Sequence, residues 1–370
     1  MKRPTFHVPN IHVRSRRLHM RIPRSLGFAL SASATVAMLA GCSGVGQQTP
    51  SVPDQTQSQQ SVARQGVNAA MPAASTLANI SPPDADLSVG AGQNSATVPG
   101  GLYVAQGAAR TAPVIREYAL PDNKNGPPKC KDILPTSGVF GIGVNARHVL
   151  YVPVATFGKP SKILTFGPNC GKAGRTLDGL NDTVIDVAFD NTNDTVYVAT
   201  DTGSIDVYEK EATLPTRTLH NDQLVSSPGV AVDSHGNVFQ SGHKSANVVE
   251  YFQGKQQGNK VLPLTGLNRP YGLEFDVKGN LIVIDDSSGI LVYAAPFNGP
   301  PIHTIRTKGS PVYGKLDFAN RNLYVSDSSF GENHPVDVYA YPSGTFEYSI
   351  TNGLTKYFST GIAVDPASPN

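Results

Sequence analysis

The sequence predicts an all-β fold, a six-bladed β-propeller closed by its own N- and C-terminal strands. Two observations predict this fold. Short apolar strands separated by Asn, Gly and Asp turns recur about every 45 residues from residue 101 onward, a period typical of blades of about four strands. The 370 residues also include 36 Gly and 29 Pro but are only 16% charged. This composition argues against coiled coils and helical bundles, which need Glu, Lys and Leu at helical spacing.

Each repeat has the same order of elements. A short apolar strand ends in Asp, a polar turn follows, and a second strand leads to a third strand that contains Tyr or Phe. The clearest copy runs from Gly272 through Asp276 and Asn280 to Tyr293. The copies begin near residues 141, 186, 229, 272, 314 and 361. Alternation with a period of two, bounded by turn residues, predicts β-strands.

The two ends of the repeat region are incomplete in complementary ways. Residues 101–105 match a second strand and residues 114–118 match a third, but no first strand precedes them. Residues 361–365 match a first strand with no second strand after them. We therefore expect the two termini to form one blade together, which removes exposed sheet edges.

The N-terminus differs from the rest of the chain. Seven basic residues and no acidic residue occur before position 25, and residues 25–41 are uncharged and largely apolar. An apolar segment of that length is typical of a signal peptide and is too short for a spanning helix. The segment ends in Leu39-Ala40-Gly41 followed by Cys42, and so resembles a bacterial lipoprotein signal. An ordinary secretory signal is the alternative, and Met20 is an alternative start.

The lipoprotein resemblance implies that Cys42 becomes the first mature residue and carries palmitate. Ser43 after it implies the outer membrane, facing the periplasm or the cell surface. Residues 42–100 then form a lipidated Cys and a tether with no aromatic residue and few charges. Such a segment cannot bury enough apolar surface to fold, so we predict a disordered spacer. The predicted domains are thus 1–41, 42–100 and 101–370.

Two cysteines remain once Cys42 is assigned to lipid. Cys130 and Cys170 both fall between the third and fourth strands of consecutive blades. They therefore share one rim, and an oxidising compartment favours a disulfide between them. Two inert thiols are the alternative.

One face of the predicted propeller collects aromatic and charged residues. The loops that enter first strands and the turns between second and third strands meet there, and Tyr and Arg are favoured at binding hot spots. The alternative role for each Asp is to form a turn. The candidate ligand-binding residues are Arg269, Tyr271, Tyr313, Asp201, Asp285, Asp286, Asp327, His243, Lys244 and His334.

The inner strands contain a second group of candidates. Small residues occupy the positions equivalent to Glu274 in most blades, and a shift of 43 residues places Asp317 opposite Glu274. Two carboxylates there could hold a divalent cation such as Ca²⁺ at the axis. The alternative is an internal network that joins Lys315 to these carboxylates and to Asp186 and holds the blades together.

Residues 270–280 combine Pro-x-Gly, an apolar strand ending in Asp, and Gly-Asn, and they resemble the NHL repeat. The count of six blades resembles that of the gluconolactonase superfamily. Residues 115–121 are similar to a segment of streptogramin-lyase-like propellers. The resemblance implies the fold of residues 101–370. In gluconolactonases, Glu, Asp and Asn side chains bind the metal, and Asn precedes the inner-strand Gly. In this chain the residues at those places are Pro228, Tyr271, Tyr313 and Thr360.

These patterns favour a monomeric, lipid-anchored binding or scaffold module for an envelope protein or an extracellular ligand. A metal-dependent hydrolase or lyase that uses Glu274 and Asp317 is the alternative. Without the leader, 23 basic side chains face 28 acidic ones. Because nucleic-acid binding needs a clustered basic surface, nucleic acid is not an expected partner.

Overall fold

The computed structural model describes residues 100–107, 113–120, 126–128, 138–155, 160–168, 171, 173–328, 335–354 and 359–365. These residues form 24 β-strands and one 3₁₀ turn at Phe252–Gly254, arranged in six antiparallel sheets. The all-β, six-bladed prediction is confirmed. In the described residues there is no helix long and apolar enough to cross a membrane. The leader, residues 42–99 of the tether and all three cysteines lie outside the described residues.

Blades 3 to 6 are four-stranded sheets whose strands follow one another in chain order. Blade 3 consists of β8 (Val184–Asp190), β9 (Thr195–Thr200), β10 (Ser204–Tyr208) and β11 (Arg217–His220). Blade 4 consists of β12 (Val230–Val232), β13 (Val238–Gly242), β14 (Asn247–Tyr251) and β15 (Lys260–Val261). Blade 5 consists of β16 (Pro270–Phe275), β17 (Leu281–Asp285), β18 (Gly289–Tyr293) and β19 (His303–Ile305). Blade 6 consists of β20 (Pro311–Leu316), β21 (Asn322–Asp327), β22 (Val336–Ala340) and β23 (Thr345–Ile350).

Blades 1 and 2 differ from this arrangement. Blade 2 has two short inner strands that both pair with β5, and it consists of β3 (Gly138–Val139), β4 (Gly143–Val144), β5 (Leu150–Ala155), β6 (Ser161–Phe166) and β7 (Ala173–Leu180). Blade 1 combines the two ends of the chain, namely β24 (Ser359–Asp365), β1 (Gly100–Gln106) and β2 (Val114–Leu120). The register pairs Gly101 with Asp365 and Ala105 with Gly361, which confirms closure by both termini.

The hydrophobic core is divided among the spaces between blades. Each of six clusters contains residues from two neighbouring blades, including one between blades 6 and 1. Successive residues of a strand point to opposite faces of its sheet, so an apolar strand can pack against a blade on either side. Many strands are therefore buried along their whole length, as in Leu281–Asp285 and Gly289–Tyr293.

The Asp at the end of a first strand holds the turn that follows it. Asp276 accepts hydrogen bonds from the backbone of Lys278 and Asn280 at 2.9 and 2.8 Å, and from the Asn280 amide at 2.8 Å. Asp233 makes the same contacts with His235 and Asn237. The Asp and the Gly-Asn of the repeat are therefore turn-forming residues.

Candidate functional site

The top face of the propeller is the face at which the inner strands begin. There the turn between the second and third strands bonds to the loop that enters the first strand of the same blade. The backbone of Asp286 donates to the carbonyl of Arg269 at 3.1 Å, and Lys244 donates to Val225 at 3.0 Å. The expectation that these two kinds of loop share one face is confirmed.

A cavity of about 570 Å³ opens on the top face around the propeller axis. Its volume falls within the range of ligand-binding clefts. It brings together five of the predicted ligand-face residues. The lining residues used below are Asp201, Ser227, Arg269, Tyr271, Asp286 and Tyr313.

Arg269 organises one wall of this cavity. Its guanidinium forms an ion pair with Asp286 at 3.2 Å and contacts Nε2 of His243 at 3.2 Å. The His243 ring lies 4.4 Å from the Tyr271 ring, centroid to centroid. Burial and the Arg269 charge lower the pKa of His243, so its imidazole is neutral at pH 7. Since Nε2 accepts from Arg269, Nδ1 carries the proton, and Nδ1 is buried without a partner among the described residues.

Two predicted ligand-face carboxylates instead support the loops. Asp285 is fully buried and accepts backbone hydrogen bonds from Asn268, Arg269 and Ser288 at 2.7 to 2.8 Å. Asp327 accepts from the backbone of Ser310 in the equivalent place of the next blade. The alternative reading of such Asp residues, as turn formers, matches these contacts. His334 lies outside the described residues.

Tyr313 closes the propeller axis beneath the cavity. Its side chain is only 4% exposed. Its hydroxyl extends from blade 6 to the carbonyls of Ile185 in blade 3 and Pro228 before blade 4, at 3.1 and 3.3 Å. This contact joins opposite sides of the ring, so Tyr313 is a floor residue of the cavity.

An ion pair lies below Tyr313 near the axis. Lys315 Nζ is 2.9 Å from Oε2 of Glu274 on the neighbouring inner strand. Asp186 is close to this pair and is almost completely buried. Burial raises the pKa of Asp186 to about 7, against the opposing effect of the Lys315 charge. The attraction of Glu274 and Asp186 raises the pKa of Lys315 despite its burial. This is the Lys-carboxylate network considered as the alternative to a metal site.

The expected pairing of Asp317 with Glu274 is wrong. In the pairing of the first with the second strand, Lys315 of blade 6 occupies the position equivalent to Glu274 of blade 5. Asp317 occupies the position equivalent to the turn residue Asp276. The Asp317 carboxylate accepts from the backbone of Arg321 at 2.7 Å and from the Asn322 amide at 2.8 Å. The sequence offset between equivalent positions of blades 5 and 6 is thus two residues smaller than the expected 43.

A divalent cation does not fit the axial site that the gluconolactonase resemblance implies. The Lys315 ammonium lies against Glu274, where a metal would need further oxygen ligands. In the described part of the chain, no group of three or more His, Cys, Asp or Glu residues could hold a metal.

Comparisons with known proteins support the fold. No family model matches the sequence, and no curated protein matches it. Solved structures match in 1388 chains, and a chain from a crystal structure of a nidogen/laminin complex is among them. It has a TM-score of 0.58 and 17% identity, and the match covers 72% of this chain and 98% of that chain. Similarity at that identity shows a shared β-propeller fold and nothing finer.

Proposed function

We propose that this protein is an exported, lipid-anchored β-propeller that binds a partner protein of the cell envelope through the cavity on its top face. The cavity is the observation on which the proposal rests. It combines a half-exposed Arg269 with the ring of Tyr271, two residue types enriched at binding hot spots.

The rigidity of the cavity supports this role. Asp285 holds the loop that presents Arg269, and Asp286 and His243 restrain the guanidinium from two sides. A preorganised contact surface loses less conformational entropy when a partner binds. In the solved nidogen/laminin structure, a propeller chain of the same fold occurs in a protein complex, which is consistent with a protein-binding role.

The leader and the tether supply the cellular context of the proposal. Lipid on Cys42 would anchor the chain, and residues 43–100 would hold the propeller away from the membrane. Mass spectrometry of the mature N-terminus tests the anchor. A Cys42 thioether that carries acyl chains is the expected result, and an unmodified Cys42 would refute this part of the proposal.

Capture of envelope proteins by the full chain tests the binding role. The variants Arg269→Ala and Tyr271→Ala change the top face. The matched control is Phe318→Ala, which removes an exposed ring (56% exposed) from the opposite face. We expect a partner whose capture falls at least tenfold with each top-face variant and stays unchanged with the control. Equal capture by all folded variants would contradict binding through the cavity.

A further inference from the structure

We propose that the top-face cavity receives a basic side chain, Lys or Arg, from the partner protein, with Asp201 as its counter-ion. This inference rests on the proposed binding function and names the chemistry of the group that enters the cavity.

The charged residues that the structure describes around the cavity leave one carboxylate without a counter-ion. Asp286 is neutralised by its ion pair with Arg269, and the neighbouring His243 is neutral. Asp201 is exposed at the cavity and forms no ion pair with any residue that the structure describes. Among the described residues, the cavity lining thus contains two carboxylates and one guanidinium, a net charge of −1. An unpaired carboxylate at a concave surface attracts a cation.

A second observation also indicates a ligand. Ser227 lines the cavity, is 1% exposed, and its Oγ has no hydrogen-bond partner within the described residues. A buried hydroxyl without a partner is costly unless a bound group satisfies it. Asp201 and Ser227 both carry acceptor oxygens, and an ammonium or guanidinium has several N–H donors that can meet such acceptors.

The aromatic residues of the lining favour the same class of ligand. Tyr271 and Tyr313 line the cavity, and a cation over a Tyr ring gains a cation–π contact. The Arg269 guanidinium lies against Asp286 and His243, and the charges of the described lining residues sum to −1. The lining therefore favours a basic group over an acidic one.

Ligand-observed NMR with short capped peptides tests this inference on the full chain. The probes are acetyl-Ala-X-Ala-amide with Arg, Lys, Glu or Ala as X. The perturbing variant is Asp201→Asn, which removes one charge and keeps the shape. The matched control is Asp222→Asn, which removes a carboxylate that is 96% exposed and lies outside the cavity lining.

We expect the Arg and Lys peptides to bind with millimolar affinity, and the Glu and Ala peptides at least tenfold more weakly. Asp201→Asn should weaken the basic peptides about tenfold, as for the loss of one charge-assisted contact, and Asp222→Asn should not. Raised salt should weaken them too. Equal binding of the Glu peptide, no detectable binding of the basic peptides, or no effect of Asp201→Asn would overturn the inference. If one of these results is obtained while Arg269→Ala and Tyr271→Ala still reduce partner capture, only this inference fails. If those two variants leave partner capture unchanged, the proposed function fails.

Discussion

Replacing Lys315 with Met tests whether the axial ion pair stabilises the propeller. The change keeps an unbranched side chain of similar length and removes the charge 2.9 Å from the Glu274 carboxylate. The side chains of Lys315 and Glu274 are 20% and 11% exposed, so water screens the pair only in part. Breaking a buried pair typically costs 3–5 kcal/mol. Because both side chains keep some exposure, we expect a loss at the lower end of this range, about 3 kcal/mol of unfolding free energy at pH 8.

The cost of Lys315→Met should depend on pH. Lys315 lowers the pKa of Asp186, so its loss raises that pKa above about 7 and keeps the buried Asp186 protonated over a wider range. In the Lys315→Met variant, protonation of Asp186 at pH 5 removes part of the negative charge that Lys315 no longer compensates. At pH 8 less of that charge is removed. We therefore expect a smaller loss of stability at pH 5 than at pH 8.

A double-mutant cycle with Glu274→Gln separates the ion pair from simple packing. The Lys315→Met and Glu274→Gln double variant leaves no unpaired Glu274 charge, so it should recover at least half of the loss. Urea denaturation followed by circular dichroism measures each unfolding free energy, and an unchanged m-value shows that the folded and unfolded states are comparable. Three results would refute the reasoning: a cost below about 1 kcal/mol at pH 8, the same cost at both pH values, or additive single effects.

Two further predictions concern the same axis. The folded pKa of Asp186 is about 7 against 3.8 for an ordinary Asp, so between these values the folded chain holds a proton that the unfolded chain has released. Its contribution to stability is therefore present at low pH and is lost as pH rises to 7, by up to about 4 kcal/mol. Asp186→Asn should flatten this slope in urea melts from pH 4 to 8, and an unchanged slope would argue against it. Tyr313→Phe removes the hydroxyl that bonds to Ile185 and Pro228 and should cost about 1 kcal/mol, since the Ile185 carbonyl keeps the Gly141 donor. A change in melting temperature too small to resolve would show that this bond does not tie the ring.

The blade count and the closure could be predicted from the sequence because they depend on local patterns. Apolar alternation marks each strand, and the Asp and Gly-Asn residues form the turns between strands, as the contacts of Asp233 and Asp276 show. The terminal fragments were incomplete in complementary ways, so the pairing of β1 with β24 followed without any three-dimensional information. The same order of strands also predicted which loops lie on the top face.

The axial residues could not be assigned by the same reasoning. A slip of one residue turns every side chain to the opposite face, but a slip of two preserves the alternation. Leu316 and Phe318 are both apolar, so the alternation alone allowed Asp317 to lie opposite Glu274. The pairing of β20 with β21 instead places Lys315 at the position equivalent to Glu274. Phe318 is in fact 56% exposed beyond the end of its strand.

The sequence by itself determined a closed ring of six blades and which loops share its top face, because these follow from period, alternation and turn chemistry. Only the tertiary structure decided what each charge does. Asp285 and Asp327 support loops, Lys315 pairs with Glu274, and Asp201 lies at the cavity without an ion pair to any described residue. The physical reason is that the partners of a charged side chain come from other strands and other blades, at distances that no local pattern records.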